Sequence, residues 1–252
     1  MRYFLHLSYN GTGFFGWQEQ HKHDNCPTIE ETIEHAMSLI LACNIDIIGC
    51  GRTDTGVNAR EFYAHFDYEE MTAEQRKNLV LRLNAFLSYE IRIFDIIPVQ
   101  PQANARFDAI SRTYKYYVSN VKQPFDNDFC LFYSYKLNMD AMNEAAAGML
   151  NYTDFTSFSK TKTQTKTNNC IISEAFWQME REKLVFTITA NRFLRNMVRA
   201  IVGTLLEVGR GKLSVADFSN VIEKKQRSAA STSVKGSALF LEKVTYPKSV
   251  FL

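Results

Sequence analysis

The segment Gly51-Arg52-Thr53-Asp54-Thr55-Gly56-Val57-Asn58-Ala59 carries the residue types best placed for chemistry. Asp54 offers a carboxylate among small residues and glycine, which let a ligand approach the backbone closely. Arg52, two residues away, could pair with a carboxylate or a phosphate. The segment lies between two predicted strands, where a sheet can hold a functional loop rigidly. From the local pattern alone a second reading stays open, an Asx turn with a surface arginine.

A second cluster is cationic. Arg192, Arg195 and Arg199 lie three and four residues apart in a stretch whose apolar residues (Phe193, Leu194, Met197, Val198, Ile201, Val202, Leu205) form a stripe. That spacing predicts a helix over 191–208 with the arginines on a shared face, either gripping phosphates or simply solvated. Lys160, Lys162 and Lys166 stand in a threonine-rich segment, 156–170, without an acid. It could order on a nucleic-acid backbone or be an idle linker. Residues 156–213 hold ten Lys/Arg and four Asp/Glu, whereas the whole chain has a net charge of only +2. A basic region in a near-neutral protein is compatible with gripping a polyanion at one place.

Two further patterns are set aside. Gly11-Thr12-Gly13-Phe14-Phe15-Gly16 matches G-x-G-x-x-G, but a dinucleotide site needs a helix starting within the motif. Here the next helix is predicted only near Thr28, so the motif reads as a glycine-rich loop presenting Phe14, Phe15 and Trp17. His21, His23 and Cys26 do not make up a four-ligand set, so no metal is expected.

Residues 3–9 read as a strand and 28–43 as a helix opened by Thr28 and Glu31 in a capping-box pattern. Strands follow at 46–50 and 62–68, a helix opened by Thr72 and Gln75, and a strand at 91–99. That order is β-α-β-β-α-β. The second half repeats it with a strand at 112–119, a helix near 139–150, a hairpin at 171–190, the helix 191–208 and a strand at 238–246. An extra helix is capped by Ser214. The expected fold is therefore α+β: two ferredoxin-like, RRM-like halves, their mostly antiparallel sheets side by side and helices on the other face. The expected domains are 1–104, carrying the Asp54 loop, and 105–252, carrying the basic helix.

The 252 residues can bury a substantial core. No apolar run is long enough to span a bilayer, and His6, Ser8 and Asn10 interrupt any signal-like stretch. The cysteine count, five without a C-x-x-C pair, points to a reduced cytoplasm.

The ordered set of motifs resembles the TruA family of tRNA pseudouridine synthases almost end to end. Tyr9–Gln18 is similar to that family's first motif and Gly51–Val57 to its catalytic loop. Asn104-Ala105-Arg106-Phe107-Asp108-Ala109 with Arg112–Tyr116 follows. Then come Asp154-Phe155, Ala190–Leu194, Met197–Gly203, Val208–Lys212 and Val244–Pro247. Three positions depart: Asn58 and Thr153 stand where the family usually has His, and Ala238-Leu239 where it has Gly-Leu.

The resemblance implies isomerisation of uridine to pseudouridine at about positions 38, 39 and 40 of the tRNA anticodon arm. No cofactor is implied, because neither redox change nor an outside group is involved, and a single carboxylate can act covalently. Asp54 takes that role, Arg199 resembles its basic partner, and Arg52 resembles the arginine that fills the space left by the flipped nucleotide. Tyr114 matches the tyrosine that lies against the uracil, and Leu239 belongs to the base pocket. Phe14 and Trp17 are expected at the substrate. Lys160, Lys162, Arg192, Arg195, Arg210 and Lys212 are expected on the RNA backbone, where contacts are electrostatic and salt-dependent. A homodimer sharing one tRNA is also implied.

Two other classes compete. A non-catalytic RNA-binding protein with two RRM-like units would use Tyr114, Tyr116 and Tyr117 as a stacking surface. It does not require the Arg52, Asp54, Tyr114 and Arg199 set. A glycoside hydrolase would pair Asp54 with a second carboxylate, Asp108 or Asp154, but no spacing supports either.

Overall fold

A computed structural model describes residues 1–18, 27–160 and 167–252. It divides into two compact units, Met1–Ile110 with Leu241–Leu252, and Ser111–Phe240. Both are mixed α+β with mostly antiparallel strand pairing.

In the first unit the order is β1 (Arg2–Tyr9), α1 (Ile29–Leu41), β2 (Ile48–Gly49), β3 (Asn58–Asp67), α2 (Ala73–Phe86) and β4 (Ile91–Pro98). β1 is central, antiparallel to both β3 and β4, and β2 pairs with β3. Alternation decides which face is buried. Tyr3, Leu5, Leu7 and Tyr9 of β1 join Phe62, Ala64 and Phe66 of β3 in the core, together with Ile33, Met37, Leu79 and Leu83 of the helices. The caps foreseen in the sequence are in place: Thr28 accepts from Glu31 N, and Thr72 with Gln75 completes a capping box.

In the second unit β5 (Ser111–Ser119) pairs antiparallel with β8 (Lys183–Ala190), which pairs antiparallel with β7 (Ile172–Glu180). The short β6 (Leu131–Phe132) runs parallel to β5. α3 (Met139–Gly148), α4 (Met197–Gly209) and α5 (Val215–Glu223) supply Met142, Ile201, Leu205 and Phe218 to a core shared with Tyr116, Phe186 and Ile188. β9 (Leu239–Thr245) starts in this unit, and from Leu241 the chain belongs to the first unit again.

One predicted element is corrected. The helix expected over 191–208 starts only at Met197, because Asn196 sits in the left-handed region at φ 66. A right-handed helix cannot pass through that conformation. Arg192 and Arg195 therefore belong to the irregular turn before α4, and only Arg199 of the three is helical.

Cys50, Cys130 and Cys170 are buried thiols outside any disulfide, and burial pushes the Cys170 thiol up to about 11. No helix among the described residues is long and apolar enough to cross a membrane.

His65 on β3 is 3% exposed, and its Nδ1 accepts from Ala105 N at 3.2 Å. That bond needs a neutral imidazole, and burial lowers the pKa of His65 below its ordinary 6.5. The unfolded chain then takes up the proton first. Stability is held above pH 6.5 and lost as pH falls through it toward the lower folded value. Urea unfolding followed from pH 7.5 to pH 5 should show this fall, and His65→Gln should reduce it, leaving the part due to His6, whose pKa burial also lowers.

Candidate active site

Asp54 stands on the loop between β2 and β3, half-buried, between the exposed side chains of Arg52 and Thr55. The loop closes on itself as Val57 N donates to the Asp54 carbonyl at 3.1 Å. Gly56 takes φ 77 in this turn, a conformation open to glycine.

The Gly11–Trp17 segment braces the loop from behind. Trp17 N donates to the Thr53 carbonyl at 3.3 Å, and Gly56 N donates to the Phe14 carbonyl at 3.2 Å. Tyr9 Oη and Thr53 Oγ1 are 3.0 Å apart, and Gly11 N donates to Asn58 Oδ1 at 2.9 Å. Main chain meets main chain here. A Cβ on Gly11 would lie 2.1 Å from the Val57 carbonyl oxygen, and one on Gly16 would lie 2.3 Å from that of Thr53. The glycines of the G-x-G-x-x-G pattern at 11 and 16 are thus explained by packing under the Asp54 loop. The first turn of α1 is turned to the same job, for Ile29 N donates to the Gly16 carbonyl and Glu30 N to that of Trp17.

Two rings expected at the substrate face inward instead. Trp17 is 1% exposed, stacks on Phe62 at 4.0 Å, and donates from Nε1 to Glu30 Oε1 at 2.9 Å. Phe14 is 8% exposed, while its neighbour Phe15 is the exposed ring of this loop. Both inward rings support the loop from below. Asn58, where the resembled family usually has His, is 1% exposed and accepts from Gly11 N. Its short amide fits a lock between two backbones, a role the sequence did not signal.

In the second unit, Tyr114 is half-buried on β5 and meets Phe193 edge to face at 5.1 Å. Phe193 sits in the same turn as Arg192 and Arg195, and Lys160 N donates to the Arg195 carbonyl at 3.1 Å. The cationic residues 160, 192 and 195 are therefore gathered at one place, with Lys160 and Arg195 exposed. Lys162 and Lys166 lie outside the described residues, as do His21, His23 and Cys26. Arg199, in the first turn of α4, donates from Nε to the Val234 carbonyl at 2.7 Å. Leu239 is 5% exposed.

Arg210 is committed within the protein. It donates to Glu207 Oε1 at 3.0 Å and lies over the Tyr135 ring at 3.9 Å. Lys212 is more open, 3.8 Å from the same Glu207 carboxylate. The two carboxylates considered as partners for Asp54 also have local tasks. Asp108 accepts from Asn104 N, and Asp154 accepts from Thr156 and pairs with Lys225 at 3.1 Å. Burial works against the charge on Asp154, but those hydrogen bonds outweigh it and hold its pKa low. Tyr116, the middle ring of the supposed stacking surface, is fully buried with its hydroxyl on the Lys235 carbonyl.

Comparison with known proteins decides the family. A family profile described as tRNA pseudouridine synthase matches residues 146–247. A tRNA pseudouridine synthase A of Parabacteroides distasonis is 52% identical, covering 99% of this chain and 98% of its own. That of Porphyromonas gingivalis is 49% identical over 100% and 99%. A more distant one, of Clostridium acetobutylicum, is 38% identical over 96% and 98%. The chain belongs to the tRNA pseudouridine synthase A family. Pseudouridine synthases are isomerases, and the similarity to these relatives runs over both units, including the stretch that holds the Asp54 loop and its glycine brace.

The brace makes a sharp contrast between two glycines. Gly16 has φ 91 and no room for a Cβ, whereas a Cβ on Gly13 would meet nothing within 4 Å. Gly16→Ala should lower the free energy of unfolding by about 1–3 kcal/mol, and Gly13→Ala should stay within about 0.5 kcal/mol of the parent. Urea titrations of the two variants side by side measure the difference.

Proposed function

We propose that this protein isomerises uridine to pseudouridine at about positions 38, 39 and 40 of the tRNA anticodon arm, with Asp54 as the nucleophilic carboxylate and no cofactor. The observation that carries the reading is the Asp54 loop itself: a half-buried carboxylate held in place by backbone contacts on a strand-anchored turn. Rigid mounting of this kind is what a covalent catalyst needs, since catalysis falls steeply when the reacting group is misplaced. Full-length similarity to tRNA pseudouridine synthases supports the substrate class.

In this reading the glycosidic bond to N1 breaks with Asp54 engaged at the nucleoside, the uracil turns, and C5 bonds to the ribose. All atoms of the uridine are retained, so neither an oxidant nor a group donor is required. The target must first leave its stack, at a cost of roughly a few kcal/mol. Stacking on the Tyr114 ring offsets part of that cost. Arg199 acts as the basic group of the site, and Arg52, exposed beside Asp54, occupies the space the flipped nucleotide leaves. Leu239 contributes to the base pocket. Lys160, Arg192 and Arg195 grip the RNA backbone, joined by Lys162, Lys212 and, where it can leave Glu207, Arg210.

The two halves carry these roles as ferredoxin-like folds built mainly from about 1–104 and from 105–252, with Leu241–Leu252 returning to the first unit. The observed β-α-β-β-α-β order of the first unit supports that part of the reading. The enzyme works as a homodimer on one tRNA in the cytoplasm.

Incubation with a transcribed tRNA bearing anticodon-arm uridines, without cofactor, should yield pseudouridine there, mapped by carbodiimide labelling and primer extension. Asp54→Asn should still bind the tRNA and lose turnover by on the order of 10⁴-fold or more. Binding without turnover in the parent protein as well would favour the RNA-binding reading.

The Tyr114 ring should matter more than its hydroxyl for binding. Tyr114→Phe should keep tRNA affinity within about threefold, whereas Tyr114→Ala should weaken it by 1–3 kcal/mol, roughly the worth of one base–aromatic stack. Filter binding measures both, and loss of affinity in a folded Tyr114→Phe protein would overturn the stacking role.

A further inference from the structure

Residues 227–239 form a strap in the second unit, tied at nearly every step. Ser231 N donates to Thr204 Oγ1 at 3.1 Å. Gly203 of α4 lies so close that a Cβ there would be 2.1 Å from the Thr232 carbonyl oxygen. Val234 then makes a double link to one residue of α4. Its N–H donates to the Arg199 carbonyl at 3.3 Å, and its carbonyl accepts from Arg199 Nε at 2.7 Å. The next residue, Lys235, accepts from Tyr116 Oη at 3.0 Å, two positions along β5 from Tyr114. Within two successive residues the strap reaches both the helix that carries Arg199 and the strand that carries Tyr114.

The strap is itself clasped just before Val234. Ser233 Oγ accepts from Asn196 Nδ2 at 2.6 Å and from Arg227 Nη2 at 2.9 Å. Arg227 Nη1 also donates to the Ala230 and Ser231 carbonyls, both at 3.2 Å. A serine oxygen has two acceptor positions, and these two donors take both. Asn196 is the left-handed residue from which α4 starts, three residues ahead of Arg199. The clasp therefore joins the beginning of the strap, its middle and the start of α4.

We propose that Ser233, held between Asn196 and Arg227, is a positioning residue for catalysis: it fixes the Val234 carbonyl that sets the Arg199 guanidinium. Guanidinium is planar and its donors form a rigid fork, so holding Nε sets the direction of both Nη groups. The inference rests on the role given to Arg199 under the proposed function. It adds that this role depends on a hydroxyl remote from the reacting atoms.

The test compares Ser233→Ala, Ser233→Thr, Arg199→Ala and the Ser233→Ala/Arg199→Ala double variant, by single-turnover rate and tRNA dissociation constant. Ser233→Ala should slow the reaction by about tenfold, within the range that small misplacements cost, with tRNA affinity within about twofold. Ser233→Thr, which keeps the hydroxyl, should recover most of the rate, and the double variant should be no slower than Arg199→Ala. A parental rate in Ser233→Ala, with Arg199→Ala slow, overturns the clasp and leaves the Arg199 role standing. A parental rate in Arg199→Ala overturns both, while Asp54 is still judged by its own assay. Additive losses, or equal losses of rate and affinity, also overturn the clasp. Should Ser233→Ala fail to fold, Asn196→Gly carries the same test. Glycine accepts φ 66 without strain and lacks the amide donor.

Discussion

The Asp54 loop depends on two backbones lying against each other with no side chain between them. Residues 11–17 and 53–57 approach so closely that a single methyl group at 11 or 16 would enter a carbonyl oxygen. Such a contact gains little apolar burial, so other parts of the unit have to sustain it. Trp17, anchored by Glu30 and Phe62, holds one side, and Asn58 ties the other. The interior of the first unit can thus be read as a mount for the short turn that carries the Asp54 carboxylate.

The second unit meets a different problem, gathering cations without a helix to array them. Like charges on one face of a helix repel at modest cost. Here the chain instead breaks at Asn196, and Arg192 and Arg195 are carried on an irregular turn beside Lys160. Arg199 alone is mounted on regular structure. In the proposed reading, a turn lets Arg192 and Arg195 adjust to an uneven phosphate backbone, while Arg199 benefits from a fixed origin.

Much of this was legible in the residues. The strand expected at 3–9 matches β1 and that at 62–68 overlaps β3, and the Thr28, Thr72 and Ser214 caps marked three helix starts within a residue. The catalytic reading of residues 51–57 rests on the resemblance of the ordered motifs, for the local pattern alone leaves an Asx turn open. What stayed hidden depended on contacts between residues far apart in sequence. The arginine spacing at 192, 195 and 199 is helical, and nothing local shows that Asn196 will turn left-handed when its amide finds Ser233, 37 residues away. Trp17 looked like a displayed ring because its partners Glu30 and Phe62 are distant in the chain. Gly11 and Gly16 of the G-x-G-x-x-G pattern pack on the backbone of 53–57, a counterpart that has no side-chain signature.

The first unit is not continuous in sequence. After Ile110 the chain builds the whole of the second unit before Leu241–Leu252 rejoin the first. There Tyr246 packs on Phe4 and donates to the Ala105 carbonyl, and the Val250 carbonyl accepts from Gln100 N. On a ribosome releasing the chain from its N-terminus, the second unit has all its residues available earlier than the first. The half that carries Asp54 is therefore completed last, by contacts between ends separated by more than a hundred residues, the kind of long loop closure that slows folding. A chain truncated in translation before residue 241 would hold every residue proposed for the site except the final closure of the unit that mounts its carboxylate.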